Sequence, residues 1–101
     1  MSTDIQHNLL DETIHQRTRL AIMASLAGVE SLDFNELKAA LGLTDGNLSA
    51  HLSALERAGY VKVAKSFRGR KPHTAVVQTA KGRKALSSYV NVLDGILRKA
   101  K

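Results

Sequence analysis

The stretch that decides the fold is residues 44–61, TDGNLSAHLSALERAGYV. Thr44 can act as an N-cap, its hydroxyl accepting a first-turn amide, and Asp45 suits the positive end of a helix. Leu48, Leu52 and Leu55 recur at helical spacing and line one face. Gly59 is placed to stop the helix as a left-handed residue past its last turn. At about 100° per residue, the opposite side carries Gly46, Ala50, Ser53 and Arg57, flanked by Asn47, Ser49 and Ala54. A helix needing only solubility would carry Glu and Lys there. This face is small and polar instead, so another surface can approach its backbone closely.

Working upstream, Gly42-Leu43-Thr44 leaves room only for a tight turn. The helix before it is capped by Asp33, with Glu36 completing a capping-box pattern, and Phe34, Leu37 and Leu41 form its core face. Two short helices joined so tightly make a helix-turn-helix over 33–58. A short extended piece is expected at Ser31–Leu32. Earlier still, Leu10, Ile14, Thr18, Ala21/Ile22 and Ser25/Leu26 predict a first helix from about Asp11 to Ala27, closed by Gly28. Residues 1–10 are polar with little period and read as a flexible N-terminus.

Downstream of Gly59 the period becomes two. Val61 and Val63 alternate with Lys62 and Ala64, and Thr74–Gln78 is rich in β-branched residues. Between them, Lys65-Ser66-Phe67-Arg68-Gly69-Arg70-Lys71-Pro72-His73 is a basic connection with a Gly for its turn and the only Pro of the chain. The segment 60–78 is therefore a hairpin, and Phe67 is expected to anchor its turn. Thr79 caps a final helix over 79–99. The sequence contains no internal repeat, linker or low-complexity tract. It predicts one domain over 1–101, mainly α with a small β-hairpin, in the order helix, helix, helix, hairpin, helix.

Composition narrows the partners. The chain has 101 residues and no Cys, which excludes disulfides, thiolate metal sites and cysteine nucleophiles. Its longest apolar run, Leu20–Ala27, already contains Ser25 and is far short of the ~20 residues that span a bilayer. A soluble cytoplasmic protein without a membrane partner is expected. The net charge of +6 conceals an asymmetry: residues 1–56 hold three Lys/Arg and eight Asp/Glu, whereas residues 57–101 hold twelve and one. Nine Lys/Arg and no acid fall between Glu56 and Asp94. Such segregation in a folded domain points to a polyanion.

Taken together, the segments His15–Ile22, Asp33–Leu37, Leu41–Ser49, His51-Leu52, Leu55–Val61, Arg70-Lys71-Pro72, and Thr79 with Gly82 resemble winged-helix transcriptional regulators of the MarR/ArsR type. The resemblance covers most of residues 13–90 and is nearest to the short archaeal and bacterial subgroup. Two positions depart from it. Similar proteins often carry Pro in place of Arg17, marking a helix start, so here the first helix is expected to begin further upstream. They also tend to carry an apolar residue in place of Gln78.

The resemblance implies a winged helix-turn-helix bound to double-stranded DNA, with the helix Thr44–Arg57 in the major groove. Thr44, Gly46, Asn47, Ser49, Ala50, Ser53 and Arg57 are its candidate contacts, the small residues admitting the backbone and the polar ones reading base edges. Asp45 stands against this, because a carboxylate beside phosphates repels them. Lys62, Lys65, Arg68, Arg70 and Lys71 would form the wing, reaching a minor groove or its phosphates. Lys81, Arg83 and Lys84 occupy the first turns of the final helix, where the macrodipole disfavours cations by about 0.3–1 kcal/mol each. Charges placed against local stability suggest an external phosphate backbone.

The final helix carries Leu86, Tyr89, Val90, Leu93 and Leu97, with Ala85, Val92 and Ile96 beside them, over about 160°, wider than the ~100° that one core contact needs. It predicts a homodimer built on this helix with the first helix, and so Ile14, beside it. No metal or cofactor is expected: His7, Asp11 and His15 would span too much helix for one ion. Ser49, His51 and Ser53 point apart on a helix, so no enzyme is expected either. The reading is a dimeric repressor, nucleoid-associated when bound to DNA, whose small-molecule effector is unknown. The alternative is a winged helix serving as a protein-interaction or RNA-binding module of a larger assembly.

Overall fold

The computed structural model describes residues 7–100, and its helices begin where side chains cap them. The elements are α1 (Arg17–Leu26), β1 (Leu32–Asp33), α2 (Phe34–Leu41), α3 (Asp45–Arg57), β2 (Val61–Arg68), β3 (Lys71–Gln78) and α4 (Ala80–Lys99), preceded by a 3-10 turn at His7–Leu9. Asp33 and Glu36 form the full capping box on α2. Thr44 accepts the Asn47 amide at 3.1 Å, and Thr79 accepts that of Gly82 at 2.9 Å. Both α2 and α3 end in the same way. Gly42 and Gly59 take φ of 65° and 82°. Leu43 and Tyr60 then donate to the carbonyls of Lys38 and Leu55 at 3.0 and 2.9 Å, which satisfies the last turn and reverses the chain. Each such reversal needs a residue that tolerates positive φ, and both positions are Gly.

The first helix is shorter than its sequence suggested. It starts at Arg17 and not upstream at Asp11. Asp11 does cap a turn, accepting the amides of Thr13 and Ile14 at 2.8 and 3.2 Å. The chain then leaves helical geometry, because Gln16 is extended and makes a second cap by accepting the Arg19 amide at 2.8 Å. Of the N-terminal stretch read as flexible, residues 1–6 lie outside the described residues, while His7–Leu9 form the 3-10 turn.

The hairpin is joined by β1 into a three-stranded antiparallel sheet of order β1-β3-β2. Leu32 pairs with Val76, and β2 pairs with β3 from Val61–Gln78 at the base to Arg68–Lys71 at the tip. Only Gly69 and Arg70 lie between the paired ends, with Gly69 at φ 65° supplying the two-residue turn. Leu48, Leu52 and Leu55 of α3 are buried with Ile22, Met23 and Leu26 of α1, Leu37 of α2, and Val61 and Val76 of the sheet. Burying each leucine contributes about 1.5–3 kcal/mol.

Three buried side chains differ from the expectations above. Gln78 stands where an apolar residue was expected and is 3% exposed. Its Nε2 donates to the Met23 carbonyl at 3.0 Å, tying β3 to α1, while its Oε1 has no partner. Ile14 and Tyr89 were expected at a subunit interface, yet they are 0% and 3% exposed within the chain itself. Tyr89 shares a 2.7 Å hydrogen bond with the ring of exposed His15, so the segment before α1 covers this part of α4. They belong to the core.

The start of α4 is held against the hairpin base. The Thr79 hydroxyl donates to the Gly59 carbonyl at 2.6 Å, and its amide donates to Tyr60 O at 3.0 Å. A Cβ on Gly82 would stand 2.2 Å from that same oxygen, inside any real contact distance. Only Gly admits this approach. Among the described residues, no helix is long and apolar enough to cross a membrane.

Candidate nucleic-acid interface

The residues nominated on α3 all lie where a partner can reach them. Thr44, Gly46, Asn47, Ser49, Ala50, Ser53 and Arg57 are exposed, on the side away from the buried leucines. No protein atom comes within 4 Å of where a Cβ on Gly46 would stand, so that end of the face is open. The Asp45 carboxylate has a local solution that the sequence reading missed. Lys38 of α2 places its Nζ 2.7 Å from Asp45 Oδ1, neutralising the charge at the helix start. The seven-residue separation spans the helix turn, which is why neither helix alone revealed the pair.

Beside α3 rises the hairpin. Val63, Lys65 and Thr74 face Ser49, Leu52, Ser53 and Glu56 across an open cleft. Two polar contacts fix the hairpin relative to α2 and α3. Glu56, at the end of α3, accepts the Val63 amide of the edge strand at 3.2 Å. Asp33 uses one carboxylate oxygen to cap α2 and the other to meet the His73 ring of β3 at 3.0 Å. The helices α2 and α3 and the hairpin are therefore positioned by shared side chains.

Lys62, Lys65, Arg68, Arg70 and Lys71 are all exposed, and none has an ion-pair partner among the described residues. Phe67 does not anchor the turn: it is 74% exposed. The alternation explains this, since Lys65 on the same face has already left the core. The cations at the start of α4 are less free than the sequence suggested. Lys81 lies over the Tyr60 ring, 5.9 Å from its centroid, and Arg83 reaches back to the Gln78 carbonyl at 3.4 Å. Lys84 is exposed without an ion-pair partner among the described residues.

One ionisable group is strongly perturbed. The Tyr60 hydroxyl donates to the Asp11 carboxylate, and this hydrogen bond, together with burial and the carboxylate's charge, pushes its pKa up to about 12. The bond pins the N-terminal turn to the hairpin base. It lies outside the exposed face of α3. No group of three or more His, Asp or Glu side chains among the described residues is arranged to hold a metal ion.

This geometry matches known proteins closely. Residues 18–97 match the family model of the winged helix DNA-binding domain. An uncharacterized protein of Methanocaldococcus jannaschii is 44% identical over 72 residues, which cover 71% of this chain and 78% of that one. The transcriptional regulator homologue protein from Pyrococcus horikoshii OT3 superposes with a TM-score of 0.85 at 30% identity, over 90% of each chain. MOSR of M. tuberculosis, solved in complex with DNA, superposes with a TM-score of 0.62 at 27% identity, over 90% of this chain and 61% of that one. The chain belongs to the winged helix DNA-binding domain family, and its structural neighbours are transcriptional regulators of the MarR type.

Proposed function

We propose that this protein is a homodimeric repressor that binds double-stranded DNA sequence-specifically and acts by occlusion. In this reading α3 enters the major groove and the wing lies on the neighbouring minor groove and backbone. The observation that carries it is the exposed outer face of α3, small and nearly uncharged, set beside a hairpin of five exposed cations. Asn47, Ser49, Ala50 and Ser53 read base edges, and Arg57 with the wing cations contacts phosphates. Lys84 fits a phosphate contact better than Lys81 or Arg83, which are engaged within the chain.

Dimerisation rests on α4. At 1.5 Å per residue the helix is about 30 Å long. Leu86 and Leu93 pack against the core, whereas Val90 and Leu97 are 51% and 54% exposed. A second copy of α4 would cover them, with Ile96 beside them, and would set two recognition helices about one DNA turn, ~34 Å, apart.

Selection of bound sequences from a random duplex pool, followed by salt titration, tests the DNA reading. A recurrent two-fold motif is expected, with log affinity falling against log salt by about 0.9 per phosphate neutralised. Alanine at Asn47 or Ser53 should change which sequences are selected. Binding without sequence preference or salt dependence would overturn the proposal. Sedimentation tests the dimer: a monomer at micromolar concentration would remove it, and Val90→Glu with Leu97→Glu should produce one.

A further inference from the structure

We infer that Phe67 is an apolar wedge that enters the minor groove and inserts at a base step, kinking the duplex. The inference deepens the DNA-binding reading above and rests on it. Its starting point is a side chain in the wrong place for folding. Val61, Val63, Lys65 and Phe67 share one face of β2 and pair with Gln78, Val76, Thr74 and Pro72. The first two pairs meet the core and the third lines the cleft beside α3. The fourth, about 7 Å further along the strand, passes beyond the body. Phe67 thus continues the face that turns toward the recognition helix, and at 74% exposure it contributes almost nothing to the core.

The turn brings a second apolar group to it. In a hairpin with a two-residue turn, Arg68 and Lys71 form the hydrogen-bonded closing pair, so Phe67 and Pro72 form the next, non-hydrogen-bonded one. Their Cα atoms are then about 4.5 Å apart, the closer of the two antiparallel spacings. Pro72 loses nothing there, because its nitrogen is not required by the ladder. The ring and the pyrrolidine share one face at the tip, with Arg68 and Lys71 in the next pair on the opposite face and Arg70 in the turn.

That juxtaposition selects the occupant. Docking the tip on an apolar protein surface would strip water from three cations without compensation. A minor groove satisfies both parts, since its negative potential attracts the cations and the stacked bases receive the ring. Pyrimidine–purine steps unstack most readily, so Phe67 would add a preference for TA or CA steps flanking the sequence read by α3.

The test uses the full chain and a duplex that it recovers from the random pool, with a fluorophore at each end and 2-aminopurine at each TA or CA step in turn. Wild-type protein should shorten the end-to-end distance and raise 2-aminopurine fluorescence at a step under the wing. Phe67→Ala should lose both signals and bind roughly tenfold more weakly, the loss of one aromatic stack on a base. Its salt slope and melting temperature should not change, because no phosphate contact and no core contact is removed. Phe67→Leu should retain part of the bend. Wild-type binding without bending or unstacking would overturn the wedge and leave DNA binding intact, as would a Phe67→Ala variant that bends DNA normally. Failure of the wild type to bind any duplex would overturn both readings.

Discussion

At the base of the β2–β3 hairpin, Val61 and Gln78 face each other in the core, and Thr79 bonds back to the carbonyls of Gly59 and Tyr60. At the tip of the same two strands, Arg68 pairs with Lys71 in open solvent and Phe67 projects beside them. The base has almost no freedom: one glycine admits α4, and Glu56 and Asp33 tie the strands to the helices. The tip has almost no contacts. A cationic tip is useful for recognition only if its position is set elsewhere, and the crowded base does that. The difference divides the hairpin into a part where mutation should affect stability and a part where it should affect binding.

The sharpest way to break that division is Gly82→Ala. Alanine raises helix propensity by about 1 kcal/mol. Its Cβ would nonetheless stand 2.2 Å from Tyr60 O, a backbone atom that cannot turn away. Overpacking of this kind costs typically 1–3 kcal/mol and occasionally more, so net destabilisation of about 1–2 kcal/mol should appear in urea unfolding. An unfolding midpoint at or above that of the wild type would show that the base is not so tight.

At the tip the expectation reverses. Arg70→Ala should leave stability within about 0.5 kcal/mol of wild type and lower the salt slope of DNA binding by about 0.9. Loss of stability without loss of slope would place Arg70 with the base. The Tyr60–Asp11 bond gives a pH signature for the base alone. Tyr60 has a folded-state pKa raised from 10.0 to about 12. Its contribution is therefore complete below pH 10 and is lost as pH rises toward about 12. Tyr60→Phe should be less stable at neutral pH and should lack that part of the alkaline decline. Parallel stability curves for the two proteins between pH 9 and 12 would count against the bond.

The smallest expected effect is at Gln78. Its Oε1 is buried without a partner, and the Met23 carbonyl that its amide meets already accepts the Ala27 amide at 3.1 Å. Gln78→Met should therefore change stability by less than about 1 kcal/mol, in the stabilising direction. A loss above 2 kcal/mol in chemical denaturation would show that the amide holds α1 and β3 together.

Much of the fold was legible because its signals are local. Thr44, Asp33 and Thr79 cap helices within three residues of themselves, and Gly42 and Gly59 end them by adopting a conformation other residues avoid. The start of α1 was not legible, because Asp11 caps a separate turn and the extended Gln16 then caps the helix itself, so the two caps divide one apolar pattern. The reading of α4 failed in a similar way. Its wide apolar stripe was visible, but not which part the body covers, so Tyr89 was assigned to a partner when His15 and the core already hold it. Of the candidate interface, the outer face of α3 and the cations of the hairpin followed from periodicity and charge. The Lys38 partner of Asp45, the double use of Asp33 and the outward position of Phe67 did not.

The sequence alone determined the element order, the caps, the small outer face of α3 and the concentration of cations beyond Glu56. Each depends on a residue and neighbours a few positions away, where backbone geometry is nearly fixed. Tertiary structure alone decided that Gly82 meets Tyr60, that Gln78 reaches Met23, and that Glu56 and Asp33 set the wing beside α3. Those contacts join residues up to 55 positions apart. Spacing does not encode them: they form only when packing of the leucines on α3 against α1 and the sheet brings the segments together.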